Sequence, residues 1–205
     1  MKCFILPGMG ANTLMYPQQN YQHLSDVTFI NWPKYSGEAS LSQVAESIIN
    51  LHGINEEDII GGSSLGGMVS IEIAKRANCR KVILIGSATA PDFINPLLQK
   101  LSNFAHLTPI KLVQIFTGKV NLYTHSELFS MFEGAEENFI KAMCKALFKW
   151  EGLGSYNGAV AHIHGESDLV IFPPDDDVEI IPKGGHLISM SHADIVAKFI
   201  SDALA

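Results

Sequence analysis

Short apolar runs alternate with amphipathic stretches along the chain, and that alternation predicts its elements. Residues 2–6, 27–32, 58–62, 81–86, 158–164 and 177–181 are compact runs broken by glycine, proline or polar clusters, and each reads as a strand. The run at 81–86 (Lys-Val-Ile-Leu-Ile-Gly) is apolar without alternation, the pattern of a parallel strand covered on both faces. Between the runs the spacing turns helical. Val44, Ala45, Ile48 and Ile49 predict a helix over about 42–51, entered through Ser40-Leu41-Ser42-Gln43, which has the pattern of a capping serine. Met68, Val69, Ile73 and Ala77 predict another over 65–76, ended by Lys75, Arg76 and Asn78. Ile195, Val196, Phe199 and Ile200 predict a closing helix over 193–203.

Residues 87–152 have a different texture. Leu97, Leu98, Leu101, Phe104, Leu112, Val113, Phe116, Leu128, Phe129, Phe132 and Phe139 recur at helical spacing, punctuated by Pro91, Pro96, Pro109 and Gly118, and predict three to five short helices. A βαβ series with one helical insertion implies an α/β fold, a parallel sheet with helices on both faces and right-handed crossovers. No internal repeat or low-complexity tract is present, and Asp175-Asp176-Asp177 reads as a solvated turn.

The chain is organised around residues 59–68, where an apolar strand ends in glycines and serines and a helix begins at once. Gly62-Ser63-Ser64-Leu65-Gly66 fits G-x-S-x-G, a turn in which a strained serine projects its hydroxyl from the top of a sheet. Ser64 is the candidate nucleophile. Gly62 and Gly66 lie two residues either side of it, where a Cβ would meet neighbouring chain. Ser63 lacks that flanking pair and reads as an ordinary turn residue. A glycine-rich phosphate cradle is the competing reading, but no G-K-[ST] follows.

At 205 residues, 47% of them hydrophobic, the chain suffices for one sizeable core. A net charge of -7 and only 14 basic residues argue against a nucleic-acid or anionic-membrane partner. Cys3, Cys79 and Cys144 are odd in number and widely spaced, which supports neither a disulfide framework nor a zinc site and suggests a reducing compartment. The first apolar run is too short for a signal peptide and no stretch approaches a membrane span, so the expected location is cytoplasmic.

A serine needs a base within hydrogen-bond reach and a third group to orient that base. His164-Gly165-Glu166-Ser167-Asp168 follows the fifth strand and Gly184-Gly185-His186 the sixth, which puts Asp168 and His186 at the carboxyl edge of the sheet, where open α/β sheets build their sites. The order Ser64, Asp168, His186 is that of the α/β-hydrolases. From Pro7-Gly8-Met9-Gly10 through the elbow, the His-Gly-x-x-Asp loop with Pro173 beyond it and the Gly-Gly-His, the chain resembles an α/β-hydrolase-fold serine hydrolase over nearly its whole length.

The resemblance implies a six-stranded, mostly parallel, doubly wound sheet of order 2-1-3-4-5-6. It implies one domain over 1–205, with a helical cap at 87–152 between core segments 1–86 and 153–205. Carried onto matching positions, it makes Ser64 the nucleophile, His186 the general base and then acid, and Asp168 the orienting carboxylate. The oxyanion hole would use the backbone N–H groups of Leu65 and Met9, with Gly10 the alternative to Met9; many relatives have His-Gly where this chain has Pro7-Gly8. No metal and no cofactor is expected.

Rival residues are present. His192 competes as base, although it begins a helix. Asp92, just after the fourth strand, and Glu166 compete as acid. His162 and His164 alternate on a strand but lack a third ligand at metal spacing, and read as satisfied core or loop histidines. The function implied is hydrolysis of a small, largely apolar carboxylic ester or thioester through an acyl-enzyme on Ser64, by a monomer or homodimer whose partner is the small-molecule substrate. The alternatives are a noncatalytic small-molecule binding module of the same fold, or an amide or C–C hydrolase using the same three residues.

Overall fold

A computed structural model describes residues 1–96, 130–175 and 177–205. Its strands are β1 (Cys3–Leu6), β2 (Val27–Phe29), β3 (Ile59–Ser63), β4 (Lys81–Ile85), β5 (Ala159–Gly165) and β6 (Glu179–Ile181). They form a six-stranded sheet in the order β2-β1-β3-β4-β5-β6, every neighbouring pair parallel. The helices described are α1 (Gln18–Tyr21), α2 (Leu41–His52), α3 (Leu65–Ala77), α4 (Glu137–Leu147), α5 (Ile188–Ser191) and α6 (Ala193–Leu204).

The apolar runs are continuous because both faces of the sheet are covered. Leu6, Ile60, Val82 and Leu84 point into a core shared with α2, α3 and α4, whereas Cys3, Ile5, Ile83, Ile85 and Ile163 point into a second core closed by α6. Alternate residues of one strand therefore serve opposite cores, and nearly all are buried.

The predicted ends shift for identifiable reasons. Ser40, rather than a later residue, caps α2: its side chain accepts from the Gln43 N–H, so the helix opens at Leu41, and it closes on Gly53 at φ 64°. Asn78 closes α3 in the left-handed conformation, its N–H on the Ala74 carbonyl. The second strand is shorter than its apolar run, 27–32, because the chain leaves the sheet after Ile30, whose N–H still bonds the Ile5 carbonyl. The sixth begins at Glu179 rather than 177. Ile195 was expected inward but is 44% exposed; α6 buries Ala193, Val196, Ala197 and Ile200 instead. The turns at Thr13–Met15 and Gln18–Tyr21 and the short α5 escape prediction, being under two turns long.

Between β4 and β5, which pair directly in the sheet, the chain runs through the insertion. Its described parts include a 3-10 turn at Pro91–Phe93 and α4, which buries Phe139, Ile140, Met143, Ala146 and Leu147 along one stripe. The return to the core is fixed at Trp150, whose indole N–H donates to Glu72 of α3 at 3.1 Å. Glu72 is buried and also accepts from Lys75 and Arg76, each at 2.6 Å. Burial alone would raise its carboxyl; these donors hold it below the ordinary value. The predicted helical positions Leu97, Leu98, Leu101, Phe104, Leu112, Val113, Phe116, Leu128 and Phe129, and Asp176 of the acidic turn, lie outside the described residues.

Candidate active site

Ser64 stands between the end of β3 and the start of α3 with φ 52° and ψ −122°, a region that a residue with a side chain rarely occupies. The turn is tight enough to explain its glycines. A Cβ on Gly62 would lie 2.5 Å from the Gly66 carbonyl carbon, and one on Gly66 would lie 2.4 Å from the Pro7 carbonyl oxygen. Hydrogen bonds then pin the turn from both sides. The Ser64 N–H donates to the Ile85 carbonyl at 3.1 Å, and the Ser87 hydroxyl donates to the Ser64 carbonyl at 2.7 Å.

The loops after β5 and β6 bring the other two residues to the same edge. Ser64 Oγ lies 3.0 Å from His186 Nε2, and His186 Nδ1 lies 2.8 Å from Asp168 Oδ2. All three residues singled out in the sequence thus meet in one line of hydrogen bonds. Asp168 is 2% exposed and its acceptor sites are filled: Oδ1 takes the backbone N–H of Val170 at 2.8 Å and of Ile171 at 3.1 Å. Burial would raise this carboxyl, but the charge of His186, the hydrogen bonds from His164 and His186, and the Ile171 N–H outweigh it and hold it well below the usual carboxylate range. It is a carboxylate across the physiological range.

The loop after β1 lies against this turn. The Gly8 carbonyl accepts from the Ala11 N–H at 3.1 Å and from the Trp32 indole at 2.9 Å, and Gly10, at φ 68°, completes the bend. The Gly8 N–H donates to Met15 Sδ at 3.0 Å. Beneath, Tyr16 donates to the Leu6 carbonyl at 2.7 Å and accepts from the Ser63 hydroxyl at 2.9 Å, so Ser63 faces inward as a turn residue. Leu65 opens α3, and its N–H belongs to the first turn, whose donors have no intrahelical acceptor.

The rivals are placed elsewhere. His192 Nδ1 pairs with the Ser191 hydroxyl at 2.9 Å and lines a separate surface groove with Leu14, Gln18 and Ile195. Asp92 is exposed, and Glu166 accepts from the Lys183 N–H at 2.9 Å. His162 and His164 are buried and pair with each other at 3.2 Å, as the sequence suggested of satisfied core histidines. Sequence reasoning missed one link: His164 Nε2 reaches Asp168 Oδ2 at 3.1 Å. Their alternation on one strand and the four-residue step from His164 to Asp168 were the available signals.

Gly8, Met9, Ala11, Met15, Met131, Phe132 and Leu187 surround Ser64 and His186, and leave a cavity of about 20 Å³, the room of one water molecule. Of the described aromatic residues of the insertion, Phe132 faces this cavity. Phe139 stacks near Trp32 instead, with centroids 5.2 Å apart, beside a second hollow of about 410 Å³ lined by Gly10, Asn31, Lys34 and Glu133. Among the described residues, no cluster of three or more His, Cys, Asp or Glu side chains is placed to hold a metal ion, and no helix is long and apolar enough to cross a membrane.

No protein-family model matches the sequence, and no curated protein sequence does. Solved structures do match in shape. A thermophilic esterase from Thermogutta terrifontis superposes with a TM-score of 0.76 at 17% identity, over 100% of this chain and 89% of the other. The enol-lactonase from Burkholderia xenovorans LB400 gives 0.77 at 13% identity, over 99% and 91%. A hydrolase from Oleispira antarctica gives 0.78 at 15% identity, over 98% and 90%. With the strand order and the insertion after β4, these similarities define the fold: the chain has the α/β-hydrolase fold.

Proposed function

We propose that this protein is a serine hydrolase that cleaves a small, largely apolar carboxylic ester or thioester through an acyl-enzyme on Ser64. The observation that carries this reading is the run of contacts from Ser64 Oγ to His186 Nε2 at 3.0 Å and from His186 Nδ1 to Asp168 Oδ2 at 2.8 Å. In it, His186 Nε2 takes the hydroxyl proton as Ser64 Oγ adds to the ester carbonyl. Asp168 fixes the imidazole with its proton on Nδ1 and offsets the imidazolium charge. The tetrahedral oxyanion is met by the Leu65 and Met9 N–H groups, each such donor contributing about 2.7–4 kcal/mol. His186 then gives its proton to the departing alcohol or thiol, and water repeats the sequence to release the acid.

The apolar side chains of Met9, Met15, Met131 and Phe132 beside Ser64 support an apolar acyl group. The similar structures include an esterase and an enol-lactonase, whose reactions both open a carboxylic ester. In this reading, residues 87–152 form the cap of a single domain spanning 1–205. Three free cysteines, two of them buried, agree with a reducing cytoplasmic setting.

The test is intact mass after exposure to a fluorophosphonate. Wild type is expected to gain one adduct, Ser64→Ala none, and His186→Ala to label slower by about 10⁴-fold or more. A wild-type protein that stays unlabelled while a control serine hydrolase reacts would remove the reading in favour of a noncatalytic binding module.

A further inference from the structure

Asp168 Oδ2 has an imidazole on each side. His186 approaches from the site at 2.8 Å, and His164, fully buried on β5, approaches from the interior at 3.1 Å. Behind His164 stands a third imidazole: its Nδ1 lies 3.2 Å from His162 Nε2. The line therefore runs Ser64, His186, Asp168, His164, His162, with the carboxylate in the middle.

Counting protons narrows the roles. His164 Nε2 also lies 3.0 Å from the Ile171 carbonyl, so both of its neighbours are acceptors and the nitrogen must carry a hydrogen. Its Nδ1 is then a lone pair if the ring is neutral, and the proton shared with His162 belongs to His162 Nε2. Burial is the main force that pushes His162 below its ordinary value, against a backbone group of Ser87 that favours its protonated form, so His162 is neutral at pH 7 and has one N–H to give.

Resting on the hydrolase reading above, we propose that His164 is a positioning residue for the reaction, a neutral Nε2–H donor that holds Asp168 Oδ2 against His186, with His162 fixing the His164 tautomer. A carboxylate this buried needs its lone pairs filled, and a cation could fill them equally well. A cation behind Asp168 would, however, compete with the His186 imidazolium for the same charge. A neutral donor satisfies the oxygen and leaves its charge available to the site.

The proposal is tested first on wild type by long-range ¹⁵N–¹H spectra of histidine-labelled protein at pH 7. His162 and His164 are expected to be neutral with the proton on Nε2. An imidazolium at His164, which follows if His162 turns its proton to Ser87, or the Nδ1–H tautomer there, would overturn it. The second arm compares fluorophosphonate labelling of His164→Leu and His164→Gln, with thermal melts of both. Leucine should slow labelling about tenfold, the effect of one lost hydrogen bond. Glutamine, which restores an amide donor at similar reach, should return the rate to within about threefold of wild type. Wild-type labelling rates in the leucine variant, or failure of glutamine in a protein that melts like wild type, would overturn the positioning role. If wild type itself does not label, the hydrolase reading falls, and the spectra still decide where the protons sit.

Discussion

The proposed nucleophile and its proposed acid–base partners are built in opposite ways. The Ser64 half is contiguous in sequence: one strand, one strained residue and one helix within residues 59–77, held in shape by glycines where a Cβ would collide with backbone of the turn itself or of the segment at Leu6 and Pro7. The other half is assembled from loops after β5 and β6, and its geometry resides in hydrogen bonds between residues 18 and 122 positions apart. The first half is therefore steric and the second electrostatic. Damage to the first should appear in folding, and damage to the second in rate and in response to pH.

Three changes test that contrast. The largest effect is expected from Asp168→Asn, which keeps the shape but sets an amide against the N–H groups of His164 and His186. The acylation rate should fall by about 10⁴-fold while the melting temperature moves little, measured by fluorophosphonate labelling and calorimetry. A variant retaining more than a tenth of the rate would separate Asp168 from the chemistry. Next, Gly66→Ala forces a methyl group into the Pro7 carbonyl, which cannot yield without moving β1. It should lower stability by about 1–3 kcal/mol or more in urea unfolding, and unchanged stability would show that the turn is looser than its contacts.

The smallest effect is an acid one. His162 has its folded value depressed from 6.5 to about 3, so between those limits the unfolded chain binds more protons and stability falls as pH falls. Asp168, also depressed, adds a loss in the same direction once pH drops below the ordinary carboxylate value of 3.8. Urea unfolding at pH 7, 5.5 and 4.5 should show a decline approaching about 1.4 kcal/mol per unit from His162, flattened in His162→Gln. A stability flat from pH 7 to 4.5 would contradict the buried pair.

This division also explains what the sequence disclosed. The elbow was legible because its requirements are local: Gly62 and Gly66 must lie two residues from Ser64 for reasons of space. Asp168 and His186 were found through chain order and strand ends, which the topology fixes. His164 reads in the sequence as an ordinary core histidine because its contact with Asp168 depends on how the loop after β5 folds back, which no periodicity records. Helical spacing predicts Ile195 inward since it allows a wider stripe than α6 buries, and it does not separate Phe132 from Phe139 because facing the site or facing Trp32 is decided by the path of the insertion.

The Gly8 carbonyl, held by Ala11 and Trp32, has a further meaning. A trans peptide carries its C=O and N–H on opposite sides of one rigid plane, so fixing the oxygen of residue 8 also aims the hydrogen of residue 9. The orientation of the Met9 N–H is thus settled when the protein folds, by the Trp32 indole and the Ala11 N–H. In the proposed reaction, a dipole aimed in advance would not have to turn when charge develops in front of it, and the reorganisation that water would undergo would be completed before any substrate arrives.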